Sequence, residues 1–218
     1  MFINDDYSAP TKKKINMLRP IFKEAKKIDP TAKFIKDKII FRNKTYTTEN
    51  IMSIGLNKDL VSQKSDDNTL VFASRFSTFS NLNPCVISME SESYNSTEQY
   101  YQFKKCLAHG DEVAAAAVKM AVEPEDAMAA GGAVRPTKEW TETHGVELMT
   151  SALREKFRAT PMQVKLRATG KRDLVEATRN PLWGAGLPFT HQNILKKEAH
   201  KGLNYLGKIL MKIRDEIA

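Results

Sequence analysis

Leu203, Leu206, Leu210, Ile213 and Ile217 are spaced three, four, three and four residues apart, so a helix through them carries all five on one side. An apolar stripe of that kind must be covered by a second layer, and it is too short to be the seam of a coiled coil. Val146, Met149, Leu153 and Phe157 recur at helical spacing too, and Thr160-Pro161-Met162-Gln163 joins a capping-box pattern to a proline at the first helical position. The alanine-rich run Val113 to Met120 follows Gly110-Asp111, with Asp111 as N-cap, and Pro124 to Ala130 restarts a helix that Gly131-Gly132 ends. What the helices cover is supplied by short apolar runs: Leu70 to Ala73 and Cys85 to Met89 read as strands, with a turn-rich loop from Phe79 to Pro84 between them and a turn over Glu92 to Asn95 after them. No internal repeat is present. The fold class is α+β, a helix-dominated domain with a few short strands.

Residues 1–66 read as a separate, small basic extension, divided from the domain over 67–218 by the polar, turn-prone stretch Gln63 to Asn68. Lys12 to Lys27 reads as one or two short basic helices broken at Pro20. Phe34-Ile35, Ile39 to Phe41 and Thr45 to Thr47 flank Arg42-Asn43-Lys44 as strand, tight turn and strand. Residues 1–60 hold 13 Lys/Arg against 7 Asp/Glu, a net of +6, while residues 61–218 hold 21 against 19, a net of +2. A basic end on a nearly balanced body either attracts phosphates, nucleic acid among them, or simply keeps the surface soluble.

Several classes of function find no support in the sequence. Cys85 and Cys106 and the four scattered histidines have no metal-ligand spacing, and the chain shows no phosphate-loop or dinucleotide glycine pattern. No run approaches the roughly 20 apolar residues of a membrane span, and the start lacks the charged-then-apolar pattern of a signal peptide. The expectation is a cytoplasmic protein with no metal, no bound cofactor and no membrane partner.

Chemistry is concentrated in two places. In the helix starting near Ser96, residues Glu98, Gln102 and Lys105 share one face, with Tyr101 beside them. Ser96 with Gln99 completes a capping box, so Glu98 is not needed as a cap, and its stripe is either a solvated face or a site. Further on, Glu176 leads through Asn180 to Trp183-Gly184, a tryptophan in a glycine-flanked loop. Trp183, like Trp140 before the Val146 helix, either plugs the core or forms a stacking wall for a flat ligand.

Taken in order, these and neighbouring motifs resemble the NADAR (YbiA-like) N-glycosidase family. The pattern runs through Phe79-Ser80-Asn81, Ser96-Thr97-Glu98 to Gln102 and Lys105, and Trp140 with Met149 and Lys156-Phe157. It continues through Leu166 with Thr169-Gly170, Leu174-Val175-Glu176, Trp183-Gly184-x-Gly186, and Gly202-x-Asn204-x-Leu206-Gly207 to Arg214. The resemblance covers roughly residues 68–218. It implies a small α+β enzyme that hydrolyses the bond between ribose and a nitrogen base. The family's substrates are phosphoribosylated pyrimidine intermediates of riboflavin synthesis and ADP-ribose attached to guanine in nucleic acid.

On that basis Glu98 is the expected catalytic carboxylate, stabilising oxocarbenium-like charge and orienting water. Trp140 and Trp183 are expected to wall the base, with Tyr101 and Gly184 beside them. Asn81 and Gln102 would hold sugar hydroxyls or base edges, Lys105 would meet a phosphate or tune Glu98, and Asn204 would reach the pocket, while Arg214 is structural. Asn180, expected beside Glu98 at the catalytic centre, stands where the family has an aspartate, three residues before Trp-Gly; as an amide it can hold sugar or water but cannot act as a base. That substitution also admits a module that binds ADP-ribose without cleaving it. Arg135 and Lys138 are both candidates for the family's basic residue ahead of Trp140.

Overall fold

The computed structural model describes residues 62–217 without a break and, before them, residues 22, 31, 33–35, 38–41 and 44–47. The chain divides into two compact units, Met1–Gln63 and Lys64–Ala218. In the first, β1 (Lys33–Ile35), β2 (Lys38–Phe41) and β3 (Lys44–Thr47) form an antiparallel sheet in that order. The expected strand-turn-strand is the β2–β3 pair, in register Ile39 with Tyr46 and Ile40 with Thr45. Of the basic helical segment over 12–27, only Phe22 is among the described residues: it is helical, and its ring lies 5.3 Å from that of Phe34.

The second unit is built on a sheet of order β4 (Gln63–Ser65), β5 (Thr69–Phe72), β8 (Asp173–Glu176). Asp66 shapes the turn into β5, its Oδ1 accepting from the backbone N–H groups of Asn68 and Thr69. Every residue of β5 is buried, as expected of the run from Leu70, and β5 pairs parallel with β8, Leu70 against Leu174 and Phe72 against Glu176. A parallel pair is covered on both faces, which is why Leu70-Val71-Phe72 and Leu174-Val175 are apolar without alternation.

The run from Cys85 is shorter as a strand than expected, and the segment read as a turn is itself a strand. β6 (Ile87–Met89) and β7 (Glu92–Tyr94) form a hairpin, and the turn sits one step earlier, at Glu90 and Ser91, with φ of 53° and 67°. Two successive left-handed residues are what a two-residue hairpin turn requires. No glycine or asparagine marks it, so the residue types carry no turn signal at the right place.

The helices follow as α1 (Thr97–Ala108), α2 (Glu112–Met120) and α3 (Pro124–Gly131). A short turn (Lys138–Trp140) and one π-helical turn (Thr141–Gly145) then run straight into α4 (Val146–Lys156), and α5 (Thr160–Arg167) follows. Asp111 caps α2 through Ala114 N as expected. The capping box predicted at Thr160 does not form: Ala159 is the N-cap without a side-chain bond, because Thr160 is already inside the helix, and Gln163 reaches back to Arg158 O instead.

α6 (Tyr205–Glu216) carries the C-terminal stripe. Leu206, Leu210 and Ile213 are buried against Phe72, Leu153, Phe157, Leu166 and Leu174, which make the main core. Leu203 is not part of the helix: it precedes the N-cap residue Asn204 and is 38% exposed, its N–H bonded to Pro181 O. α6 comes so close to β8 that a Cβ on Gly207 would strike the carbonyl oxygen of Leu174. Among the described residues no helix is long and apolar enough to cross a membrane.

Candidate active site

The start of α1 is organised so that Glu98 is spared any capping duty. Ser96 Oγ accepts from Gln99 N at 3.0 Å, and Gln99 Oε1 in turn accepts from Asn95 N at 2.7 Å. The Gln99 amide is then anchored on Val118 O and Ala121 O of the α2 region. Glu98, 4% exposed, turns inward. Gln102 Nε2, one helical turn on, donates to its Oε1 at 2.7 Å, and Asn81 Nδ2 donates to its Oε2. The loop from Phe79 is locked to the helix start, since Asn81 O accepts from Glu98 N at 3.2 Å and from Thr97 Oγ1 at 3.2 Å.

This carboxyl borders a cavity of about 370 Å³ lined also by Asn81, Tyr101, Gln102, Lys105, Arg135, Thr141, Glu176, Asn180 and Trp183. That volume suits a small ligand. Glu176, the end of the Leu174-Val175-Glu176 motif, is a cavity residue that its sequence context does not single out as a site group. It is the last residue of β8, at the carboxyl end of a parallel strand, where open α/β sheets place their ligand-facing groups. The signal was a carboxylate closing the buried run Leu174-Val175, which only the parallel pairing makes interpretable.

The two carboxyls lie in contrasting settings. Burial raises the pKa of Glu98, opposed by the amides of Gln102 and Asn81 and by the Lys105 ammonium. Its place in the first turn of α1 also favours the anion. Burial, helped by the negative charge of Glu98, pushes Glu176 up to about 8, with no donor or cation to offset it. Burial raises both, but only Glu98 has donors and a cation that favour its anion, so Glu176 is the group placed to hold a proton and Glu98 the better placed anion.

Trp183 is half-buried in the wall, its ring edge-on to Tyr101 at 5.3 Å and 6.5 Å from Tyr205. Burial, then the charge of Glu98, raises the Tyr101 phenol, which stays protonated. Lys105 is buried, with Nζ donating to Gly131 O at 2.8 Å. Gln102 Oε1 has no partner among the described residues, because its nitrogen is committed to Glu98 and its oxygen rests against Gly131, where a Cβ would collide with it.

Four expected site residues take other roles. Trp140 does not line the cavity; it lies between His109 and His144, with ring centroids 4.9 and 6.2 Å away, on a separate surface hollow. The next residue, Thr141, opens the π turn and does line the cavity. Gly184 is buried behind the wall, where a Cβ would strike Glu176 O and the Thr178 side chain, so it permits packing rather than contact with a ligand. Asn204 also lies outside. Held at φ 53°, it accepts from Glu176 N at 3.0 Å and donates to Leu174 O at 2.8 Å, gripping the strand that presents Glu176.

Asn180 reaches the rim of the cavity, but its Oδ1 accepts from Leu182 N at 2.9 Å and Trp183 N at 3.2 Å. Its acceptor is thus spent on the turn that aims Trp183, and the amide can transfer no proton, so it takes no acid–base role, while its Nδ2 stays at the cavity rim. Of the two basic candidates, Arg135 lines the cavity, whereas Lys138 faces Glu142 at 3.7 Å and does not. Arg214 is structural, bonding Thr169 Oγ1 and Arg172 O.

Comparison with known proteins bears on the family and the fold. Residues 62–218 match the model of the NADAR domain. An N-glycosidase of Nostoc punctiforme is 31% identical over 147 residues, covering 65% of this chain and 86% of that protein. N-glycosidase YbiA of Shigella sonnei is 30% identical over 146 residues, 66% of this chain and 82% of that one. A riboflavin biosynthesis protein of Vibrio vulnificus is 33% identical over 144 residues, 63% of this chain but 34% of the longer protein. The solution structure of Escherichia coli YbiA superposes with a TM-score of 0.55 at 27% identity, covering 71% of this chain and 88% of that one. The chain belongs to the NADAR family.

Proposed function

We propose that this protein is an N-glycosidase hydrolysing the bond between the anomeric carbon of a ribosyl group and a base nitrogen, and that its substrate is an ADP-ribosyl group on a nucleobase. The observation that carries the reading is the pair Glu98 and Glu176 in one cavity beside Trp183. As the C–N bond breaks, its electron pair leaves with the base nitrogen, and Glu176 gives that nitrogen its proton. Positive charge grows on C1′ and the ring oxygen, where the Glu98 carboxylate, fixed by Asn81 and Gln102, stabilises it. Glu98 then takes a proton from the water that adds to C1′, leaving a free base and a free sugar. Trp183, braced by Tyr101, supplies a flat face for the base.

The choice of substrate rests on the basic charge in residues 1–60, which favours a polyanionic carrier. The kinship with a riboflavin biosynthesis protein supports a second reading, in which a free phosphoribosylaminopyrimidine is cleaved. Incubating the full chain with ADP-ribosylated DNA, ADP-ribosylated protein and phosphoribosylaminopyrimidine side by side, with analysis of the released base and sugar, separates these readings. Intact recovery of every substrate, together with ADP-ribose binding by calorimetry, means binding without cleavage. Glu98→Gln should retain the fold and lose at least about two orders of magnitude in rate; a near-normal rate would remove Glu98 from the mechanism.

A further inference from the structure

The cavity is electrically two-sided. Its carboxyls, Glu98 and Glu176, face the reacting bond of the proposed substrate, and an exposed guanidinium, Arg135, stands at its rim. Arg135 makes no hydrogen bond or ion pair with any described residue. By contrast, Arg75 holds Glu123 and Glu125, Lys104 holds Glu90, and Lys138 faces Glu142.

The segment carrying Arg135 is held firmly. Gly131 O at its start accepts both Lys105 Nζ at 2.8 Å and Val134 N at 3.2 Å, so a buried side chain of α1 pins the turn after α3. Pro136 follows directly; its ring fixes its own φ and biases Arg135 toward extended backbone. A guanidinium held on a braced segment at a cavity mouth presents a planar fork of donors, the geometry that phosphate oxygens accept in pairs. The nearby lining residues Met128, Val134, Pro136 and Leu182 offer a neutral sugar or base no comparable charge.

We propose that Arg135 selects substrates by a phosphate on the 5′ carbon of the ribosyl group, whether a monoester or the first phosphate of a diphosphate. This rests on the N-glycosidase reading and adds the substrate feature that the site recognises. C5′ hangs from C4′, across the ring oxygen from C1′, so a ribosyl group with C1′ at the carboxyls carries its C5′ substituent within the cavity that Arg135 also lines. Arg135 is then a binding residue that touches the phosphate and takes no part in proton transfer.

The test compares the full chain with Arg135→Gln and Arg135→Lys on one base carrying 5′-phosphoribose, ADP-ribose or plain ribose. Removing one charge-assisted contact at an exposed rim should lower the preference for phosphorylated over plain ribosyl substrate about tenfold. The loss should lie in KM rather than kcat, with partial recovery in Arg135→Lys. An unchanged preference, or equal loss on phosphorylated and plain substrates, overturns the proposal. A second arm measures binding of ribose 5-phosphate, ADP-ribose and ribose to the Glu98→Gln chain by calorimetry, with and without Arg135→Gln. Tighter binding of the phosphorylated sugars that disappears with Arg135 supports the proposal even if no substrate is cleaved, an outcome that would defeat only the N-glycosidase reading. Equal binding of all three sugars overturns it. A loss confined to ribose 5-phosphate or to ADP-ribose names the phosphate the arginine reads.

Discussion

Glu176→Gln is expected to stabilise the protein while disabling it. The folded chain holds the Glu176 proton up to about pH 8, whereas an ordinary carboxyl releases it near 4.5. Between those values the folded state binds more protons than the unfolded state, so stability falls as pH rises through the window. Each pH unit counts for about 1.36 kcal/mol, giving about 3 kcal/mol by pH 7 for a fully enclosed group. Glu176 borders an open cavity, and solvent screening reduces this to about 1–2 kcal/mol. Glutamine keeps the shape and carries no such cost. For a domain of this size the gain corresponds to a Tm higher by roughly 3–6 °C at pH 7, shrinking to nothing near pH 4.5. Thermal denaturation of both proteins from pH 4.5 to 8.5, with kcat/KM at each pH, reads both effects. The variant should lose at least about a hundredfold in rate, and the wild-type rate should decline as pH rises through about 8. Tm curves that stay parallel across the range would refute the assignment of the proton to Glu176.

Asn180→Asp keeps the Oδ1 acceptor that caps Leu182 N and Trp183 N, so kcat/KM should stay within about threefold of wild type; a rise above about tenfold would show that the pocket lacks a carboxylate at this position. Asn204→Ala removes the bonds to Leu174 O and Glu176 N and puts alanine at φ 53°, which should cost about 2–4 kcal/mol by urea denaturation. Asn204→Gly should recover only the backbone part of that loss.

The parts of the molecule legible in the sequence are those fixed by near neighbours. Asp111 and Ser96 announce their helices through caps that form as read, and the stripe from Leu206 to Ile213 is buried as its period demands. The face shared by Glu98, Gln102 and Lys105 needs only helical geometry, and all three line the cavity. What the sequence hid depends on distant chain. Glu176 becomes a site residue because β8 lies parallel to β5, a partner about a hundred residues away. Trp140 and Thr141 are consecutive, and only the packed π turn decides which of them reaches the cavity. Asn204 and Gly184 belong to the motif because they shape the backbone behind the wall, a role that residue type alone does not separate from ligand contact. The hairpin turn at Glu90-Ser91 was hidden for the opposite reason, since neither residue type favours the backbone it adopts.

The glycines behind the wall set limits on redesign. At Gly184, Gly202 and Gly207 an added methyl would meet main-chain oxygen, from Glu176, Gly184 and Leu174 respectively, and main chain cannot swing aside as a side-chain tip can. The boundary on that side is fixed masonry. Leu82, Met128, Val134 and Leu182 also line the cavity, and theirs are side chains that can be trimmed. Anyone wishing to admit a bulkier base or a longer sugar substituent should cut there, where space opens without moving the strand that carries Glu176.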